Sequence, residues 1–183
     1  MGAGTGIAGI AVDKYIPTKQ IVLTDGSKSA LELCKRNCED NHVSRNVAIH
    51  ELRWGETLPL EVYFRDAGGA DAGAEGNVGL FDTIIAADVL YDLQMWNLIL
   101  KTAKSSLKVD GTLILSHVPR AAIPFEEYRS MEDIVVDQAE LFGFSLSSTI
   151  FPHELLSFSM TYDSRKYMQD IGAVIFVWRK STF

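Results

Sequence analysis

The residues best suited to chemistry open the chain, where a glycine-rich segment occupies residues 2–6 (GAGTG). Apolar residues at helical spacing follow until Pro17, and a short strand then ends at Asp25. In a sheet flanked by helices, this order brings backbone N–H groups, a helix N-terminus and a carboxylate to one ligand. Glycine is required where a Cβ would keep the backbone from the ligand. The pattern predicts a site for a nucleoside-bearing cofactor, with Asp25 on its ribose hydroxyls.

Two cofactors compete for this segment. Residues 4–9 satisfy the dinucleotide pattern G-x-G-x-x-G, and Asp25 lies 19 residues after Gly6, near the spacing of about 20 that is typical of NAD sites. Against NAD, the chain is short for a dehydrogenase with a separate substrate domain, and its two closing strands are not the usual dinucleotide ending. S-adenosylmethionine carries adenosine without a pyrophosphate and fits the shorter GxGxG pattern better.

The remaining elements predict a single α/β domain over residues 1–183, with a doubly wound, mostly parallel sheet. The two final strands have no clear helix between them, which predicts an antiparallel insertion at the sheet edge. Residues 66–79 hold five of the fourteen glycines and are predicted to form a flexible loop. The predicted helices cover residues 27–41, 93–107 and 125–142, and the predicted strands cover residues 20–24, 46–52, 81–88, 112–116, 144–150 and 171–178, with a turn at residues 109–111.

Four motifs carry a resemblance to a known family. They are GAGTGIAG at residues 2–9, LTD at 23–25, LRW at 52–54 and AADVLYD at 86–92. In this order they resemble the seven-strand S-adenosylmethionine-dependent methyltransferases, and more narrowly the protein-lysine methyltransferases of methyltransferase family sixteen. The resemblance implies a Rossmann-like sheet with an antiparallel C-terminal strand, S-adenosylmethionine as cofactor, and methyl transfer to a side-chain amine, a lysine, of a protein substrate.

The resemblance also assigns roles to the motif residues. Asp25 would bind the ribose, Trp54 would lie near the adenine end, and Asp88 and Tyr91 would lie beside the methyl-transfer centre. The residues that the resemblance places on the cofactor are Gly2, Ala3, Gly4, Gly6, Asp25, Trp54 and Asp88.

The predicted reaction needs little acid–base catalysis, because a sulfonium methyl is already activated and the enzyme must mainly hold a neutral amine in line with it. A partly desolvated aromatic channel would lower the pKa of a lysine toward the neutral form, and Tyr91 is interpreted as one wall of it. The carboxylate of Asp88 would favour the ammonium, so Asp88 is assigned to orienting the amine rather than to removing its proton.

Each assignment has a structural alternative. An aspartate after a strand commonly caps the following helix, which is the alternative for Asp25 and Asp88. Trp54 and Tyr91 would otherwise be core aromatics. His117, which follows a strand, is a candidate residue of the substrate mouth, and the alternative is that it is a plain loop residue.

Composition excludes several other classes. A net charge of −7 without a basic run argues against nucleic acid, and no apolar stretch approaches the roughly 20 residues that span a bilayer. Cys34 and Cys38 lie on the apolar stripe of a predicted helix, so they are interpreted as buried thiols of a reducing compartment, cytoplasmic or nuclear. The four histidines lack ligand spacing, and no metal is predicted.

The sequence departs from the family at its start. Family members have a strand before the glycine segment, whereas Met1 directly precedes Gly2 here, so the first strand is expected to be missing and its neighbours to have unpaired backbone groups. An upstream apolar strand is expected to raise both thermal stability and cofactor affinity. A non-catalytic interaction module therefore stays open beside a protein methyltransferase. A methyltransferase with a small-molecule acceptor stays open as well, because the cofactor half of the fold does not define the acceptor.

Overall fold

A computed structural model describes residues 1–43, 46–59, 81–118, 131–155, 166 and 172–181. The predicted loop at 66–79 and the first part of the helix predicted at 125–142 lie outside these residues. Helices and strands largely alternate along the described chain. In order, the elements are α1 (Ile7–Tyr15), β1 (Ile21–Asp25), α2 (Lys28–Asp40), β2 (Val47–Glu51), β3 (Phe81–Ala87), α3 (Leu93–Ser106), β4 (Leu107–His117), α4 (Met131–Leu141), β5 (Phe144–Ile150), α5 (Pro152–Leu155) and β6 (Val174–Lys180).

Local sequence signals account for the helix starts beside the predicted site. Ser27 precedes α2, and its hydroxyl accepts a hydrogen bond from the N–H of Ala30 at 3.4 Å. Asp92 precedes α3 and accepts from the N–H of Gln94 at 2.8 Å. Both residues therefore supply acceptors to backbone donors that have no partner within the helix.

The strands form two hydrogen-bonded groups. β1 pairs with β2 in parallel, and the second group has the order β3-β4-β6-β5, in which β3 and β4 are parallel. β6 is antiparallel to both of its neighbours, which confirms the predicted mixed α/β class with an antiparallel C-terminal strand. The two final strands lie together at one end of this group, as predicted, and β6 is inserted between β4 and the edge strand β5.

Two strands, β4 and β6, have boundaries that differ from the prediction by more than one residue. β4 begins at Leu107, which pairs with Phe81, and the predicted turn at residues 109–111 lies inside this strand's span as an irregular segment. Asp110 has a φ of 62° there, and regular pairing resumes where Thr112 faces Thr83. The prediction of a turn before a new strand at residue 112 was therefore wrong, because β4 continues through this segment and only the backbone at Asp110 is irregular. β6 begins at Val174 rather than at residue 171.

The first three residues join the two groups of strands. The amino group of Met1 donates to the carbonyl of Ile85 in β3 at 2.9 Å, and the N–H of Ala3 donates to the carbonyl of Thr24 in β1 at 2.8 Å. Among the described residues no strand lies between β1 and β3. The chain therefore enters the glycine segment between the carboxyl ends of these two strands.

The core is divided in the same way. The largest apolar cluster packs α3 and α4 against the four-stranded group and contains Trp96 and Trp178, whose ring centroids are 5.8 Å apart. A smaller cluster lies between β1 and the helices α1 and α2, and it includes both cysteines, which are buried as predicted. Leu52 and Leu58 form a third cluster. Across the described ranges, no helix is long and apolar enough to cross a membrane.

Candidate functional site

The glycine segment forms a tight turn that ends where α1 begins. Gly4 and Gly6 have φ values of 52° and 88°, in the region that side chains disfavour. The N–H of Gly6 donates to the carbonyl of Ala3 at 2.8 Å, which closes the turn. A Cβ on Gly4 would meet no atom within 4 Å, whereas a Cβ on Gly6 would lie 2.7 Å from Sγ of Cys34. The turn is therefore open in front of Gly4 and packed behind Gly6.

Asp25 connects this turn to the end of β1. Its Oδ2 accepts from the N–H of Gly4 at 2.9 Å, and its Oδ1 accepts from the N–H of Ser27, also at 2.9 Å. The side chain that caps α2 is that of Ser27, so helix capping does not account for Asp25. A carboxylate has about four lone-pair sites, so both oxygens keep acceptor capacity for further donors.

Trp54 lies beside the start of the turn. Its Cζ2 is 3.2 Å from the position of a Cβ on Gly2, and its ring packs against the largest apolar cluster. The next residue holds this loop in place, since the N–H of Gly55 donates to the hydroxyl of Thr102 in α3 at 2.7 Å. Trp54 thus has one side in the core and one side against the glycine turn.

Asp88 directly follows β3 and has a φ of 52°. A positive φ is uncommon for residues other than glycine, although aspartate tolerates it better than most. The N–H of Asp88 donates to the carbonyl of Ser116 at 2.8 Å, and its side chain is exposed. Asp92 caps the following helix instead, so capping does not account for Asp88 either.

Tyr91 lies on the same short segment and is 57% exposed, which contradicts its interpretation as a core aromatic. Val89 and Leu90 on this segment pack into the largest apolar cluster, at 2% and 1% exposure. Cγ1 of Val89 is 2.6 Å from the position of a Cβ on Gly2. Val89 therefore brings the segment that carries Asp88 and Tyr91 against the glycine turn, although the sequence reading gave it no role.

The structure brings most of the predicted site residues to one place, the carboxyl ends of β1 and β3, where open α/β sheets bind ligands. His117 is different. It was predicted to follow the strand, but it is the last residue of β4 and is buried, so it does not line an open mouth. Burial also raises the pKa of the Cys34 thiol to about 11, which makes Cys34 a packing residue rather than a nucleophile or a metal ligand. The described ranges hold no cluster of metal-ligating side chains.

Comparison with known proteins decides the family. A family model described as lysine methyltransferase matches residues 1–132. The chain belongs to this family. Its cofactor is S-adenosylmethionine, which resolves the competition with NAD. Among curated proteins, none matches the chain in sequence.

Solved structures share the fold of this methyltransferase at low sequence identity. The (4+2)-cyclase SpnF superposes with a TM-score of 0.67 at 17% identity, over 100% of this chain and 74% of the cyclase. A TehB-like S-adenosylmethionine-dependent methyltransferase from Corynebacterium glutamicum gives 0.61 at 15% identity, over 98% and 77%. A methyltransferase from Pyrococcus furiosus gives 0.58 at 16% identity, over 98% and 72%. These likenesses establish the Rossmann-like fold, which methyltransferases share with a cyclase.

The methyltransferase's own residues fit this cofactor. The open space in front of Gly4 is where a Cβ would otherwise stand, and the remaining lone pairs of Asp25 suit a pair of ribose hydroxyls. Trp54 offers a partly buried aromatic side chain beside Gly2. The turn and these two side chains are the residues of this chain that would hold the adenosine portion of S-adenosylmethionine.

Proposed function

We propose that this chain transfers a methyl group from S-adenosylmethionine to the side-chain amine of a lysine in a protein substrate. The observation that carries the proposal is the packing of Val89 against Gly2, which brings the exposed Asp88 and Tyr91 next to the glycine turn. The family description as lysine methyltransferase supports the acceptor.

Exposure favours a macromolecular acceptor over a small one. Pockets for small molecules usually bury 70–90% or more of a drug-sized ligand, whereas Tyr91 is more than half exposed and the side chain of Asp88 faces solvent. A lysine on a protein surface supplies the missing enclosure itself, because the docked protein covers the site. A partner protein would thus desolvate the amine at the moment it binds.

The bound cofactor supplies an activated methyl group, and the chain supplies position. We assign Asp88 to orienting the amine through its carboxylate, from a backbone fixed by the hydrogen bond to Ser116. Tyr91 is assigned to one wall of the lysine channel, where exclusion of water would disfavour the charged ammonium. Positioning of this kind accounts for large rate effects without any change in acid–base chemistry.

We assign the reaction to the cytoplasm or the nucleus. Cys34 and Cys38 are free thiols one helical turn apart, as suits a reducing compartment. The overall charge of −7 disfavours nucleic acid as the acceptor and suits a basic protein segment.

The test is methyl transfer from radiolabelled S-adenosylmethionine to proteins of a lysate, followed by mass spectrometry of the labelled sites. The proposal expects label in protein, on lysine, and loss of most label with the Asp88→Asn variant. Label confined to a metabolite fraction would show a small-molecule methyltransferase instead. Binding of S-adenosylhomocysteine without any transfer would favour the non-catalytic module.

A further inference from the structure

Helix α2 reaches the glycine turn through a second polar contact, besides the one that Asp25 makes from β1. Nδ2 of Asn37 donates to the carbonyl of Thr5 at 2.8 Å. Thr5 lies between Gly4 and Gly6, at the point of the turn that faces α2. The two partners are 32 residues apart in sequence, so this bond fixes α2 and the turn relative to each other.

Together with a bond inside the turn, this contact holds both polar groups of one peptide. The carbonyl of the Thr5–Gly6 peptide accepts from Asn37, and its N–H donates to the carbonyl of Ala3 at 2.8 Å. Rotation of this peptide plane would break both hydrogen bonds. The flanking glycines can adopt other backbone conformations at little steric cost, so the turn depends on such bonds to keep one shape.

The same face of α2 limits the position of the turn by packing. Cys34 precedes Asn37 by three residues, so the two side chains lie on one face of the helix. Sγ of Cys34 lies behind Gly6, at 2.7 Å from the position of a Cβ. One residue therefore blocks the turn from moving toward α2, and the other prevents it from moving away.

We propose that Asn37 is a positioning residue for cofactor binding, which holds the Thr5–Gly6 peptide in the orientation that S-adenosylmethionine requires. The residue acts through the turn and need not touch the cofactor itself. The inference rests on the cofactor site and not on the acceptor, so a failure to find lysine methylation would leave it standing.

The test uses Asn37→Ala beside Asn41→Ala as a matched control. Nδ2 of Asn41 also donates to a backbone carbonyl at 2.8 Å, that of Asn37, but no contact joins Asn41 to the turn among the hydrogen bonds of the described residues. We expect calorimetry to give a dissociation constant for S-adenosylhomocysteine about tenfold higher in Asn37→Ala, the effect of one lost hydrogen bond. The Asn41→Ala control should stay within about twofold of the parent.

Two further measurements separate positioning from general stability. The KM for S-adenosylmethionine should rise in Asn37→Ala while kcat changes little, as expected when binding common to ground and transition states is lost. Amide hydrogen exchange should quicken across residues 4–6 and stay unchanged in β4. The variant Asn37→His, whose Nδ1–H can occupy a similar position, should recover part of the affinity, and Asn37→Asp, which cannot donate, should not.

Equal affinity of Asn37→Ala and the parent, or an equal loss in Asn41→Ala, would overturn the proposal. So would a loss in Asn37→Ala that Asn37→Asp fully restores, because a carboxylate cannot replace the donor. If Asn37→Ala does not fold, the contrast between Asn37→His and Asn37→Asp decides the same question.

Discussion

The two halves of the candidate site are built differently. Three neighbours hold the glycine turn: Asp25 binds the N–H of Gly4, Asn37 binds the carbonyl of Thr5, and Cys34 packs behind Gly6. The segment from Asp88 to Tyr91 is anchored by the backbone bond between Asp88 and Ser116 and by the buried Val89, and the side chains of Asp88 and Tyr91 are exposed. One half is enclosed by its own chain, and the other half faces outward.

This difference fits the two ligands that the site is proposed to serve. A cofactor of fixed shape gains affinity from a preformed turn, because no ordering cost falls on the protein at binding. An acceptor on another protein brings its own surface, so the receiving half needs only an anchored backbone and exposed side chains. We therefore expect substitutions in the first half to change cofactor affinity and those in the second half to change transfer.

The largest effect is expected from Asp25→Ala. The variant loses the acceptor for Gly4 and Ser27 as well as the proposed contact with the ribose, and hydrogen bonds to a charged group contribute about 1.5–3 kcal/mol each. The dissociation constant for S-adenosylhomocysteine should rise at least about 100-fold, measured by calorimetry. Asp25→Asn keeps one oxygen acceptor, so its dissociation constant should lie between those of Asp25→Ala and the parent. Unchanged affinity in Asp25→Ala would remove Asp25 from the site.

Alanine at Gly4 and alanine at Gly6 are expected to affect stability and cofactor affinity in opposite orders. Gly6→Ala adds a Cβ at 2.7 Å from Sγ of Cys34, at a φ of 88°, and should lower the free energy of unfolding by about 2 kcal/mol. Gly4→Ala meets no neighbouring atom and should cost about 1 kcal/mol for its backbone alone. For S-adenosylhomocysteine the order of the two variants should reverse. Relative to its loss of folding free energy, Gly4→Ala should lose more affinity than Gly6→Ala.

Denaturant unfolding measures the stability of the two variants, and calorimetry measures their affinity for S-adenosylhomocysteine. If Gly4→Ala binds as well as the parent, the open space in front of the turn is not the place of the cofactor.

A smaller and more selective effect is expected from Asp88→Asn. Asparagine tolerates a positive φ nearly as well as aspartate, so the melting temperature should stay within about 2 °C, which corresponds to about 0.5–1 kcal/mol at this length. The rate of methyl transfer should fall about tenfold, because the neutral side-chain amide of asparagine attracts the amine less than a carboxylate does. S-adenosylhomocysteine affinity should change less than the rate does. A variant with full transfer activity would contradict the orienting role.

The smallest effect is expected at the cysteines. Burial raises the pKa of the Cys34 thiol to about 11, so the thiol rather than the reactive thiolate is the main form at pH 8. Alkylation by iodoacetamide should therefore be negligible in the native protein between pH 7 and 8 and rapid in denaturant, as read by mass spectrometry. Fast native labelling would show that the enclosed half of the site opens readily.

The motif residues were predictable because their chemistry is local. The glycine turn, the strand that ends at Asp25 and the helix after Ser27 are all short-range patterns, and the structure places them as expected. Asn37 was missed because a polar side chain on a helix resembles a solvated residue until its partner, 32 residues away, is known. Val89 was missed for the same reason, since its partner Gly2 comes from the other end of the motif series.

Strand order was less predictable than strand existence. The sequence predicted that the two final strands lie at one edge of the sheet, but it does not reveal which of them is outermost: residues 174–180 pair with β4 on one side and β5 on the other. Such pairings depend on contacts between distant segments of the chain. The exposure of Tyr91 could not be predicted either, because its place in the motif at residues 86–92 suits a core aromatic equally well.

The three tryptophans occupy unlike surroundings, and this gives the protein two optical signals. Trp96 and Trp178 are fully buried close to each other, so their emission should shift to longer wavelength only when the whole domain unfolds. Trp54 is partly buried beside Gly2, so its emission should respond to a ligand in the folded state. A Trp54→Phe variant should therefore lose the ligand-dependent change in fluorescence and keep the unfolding transition.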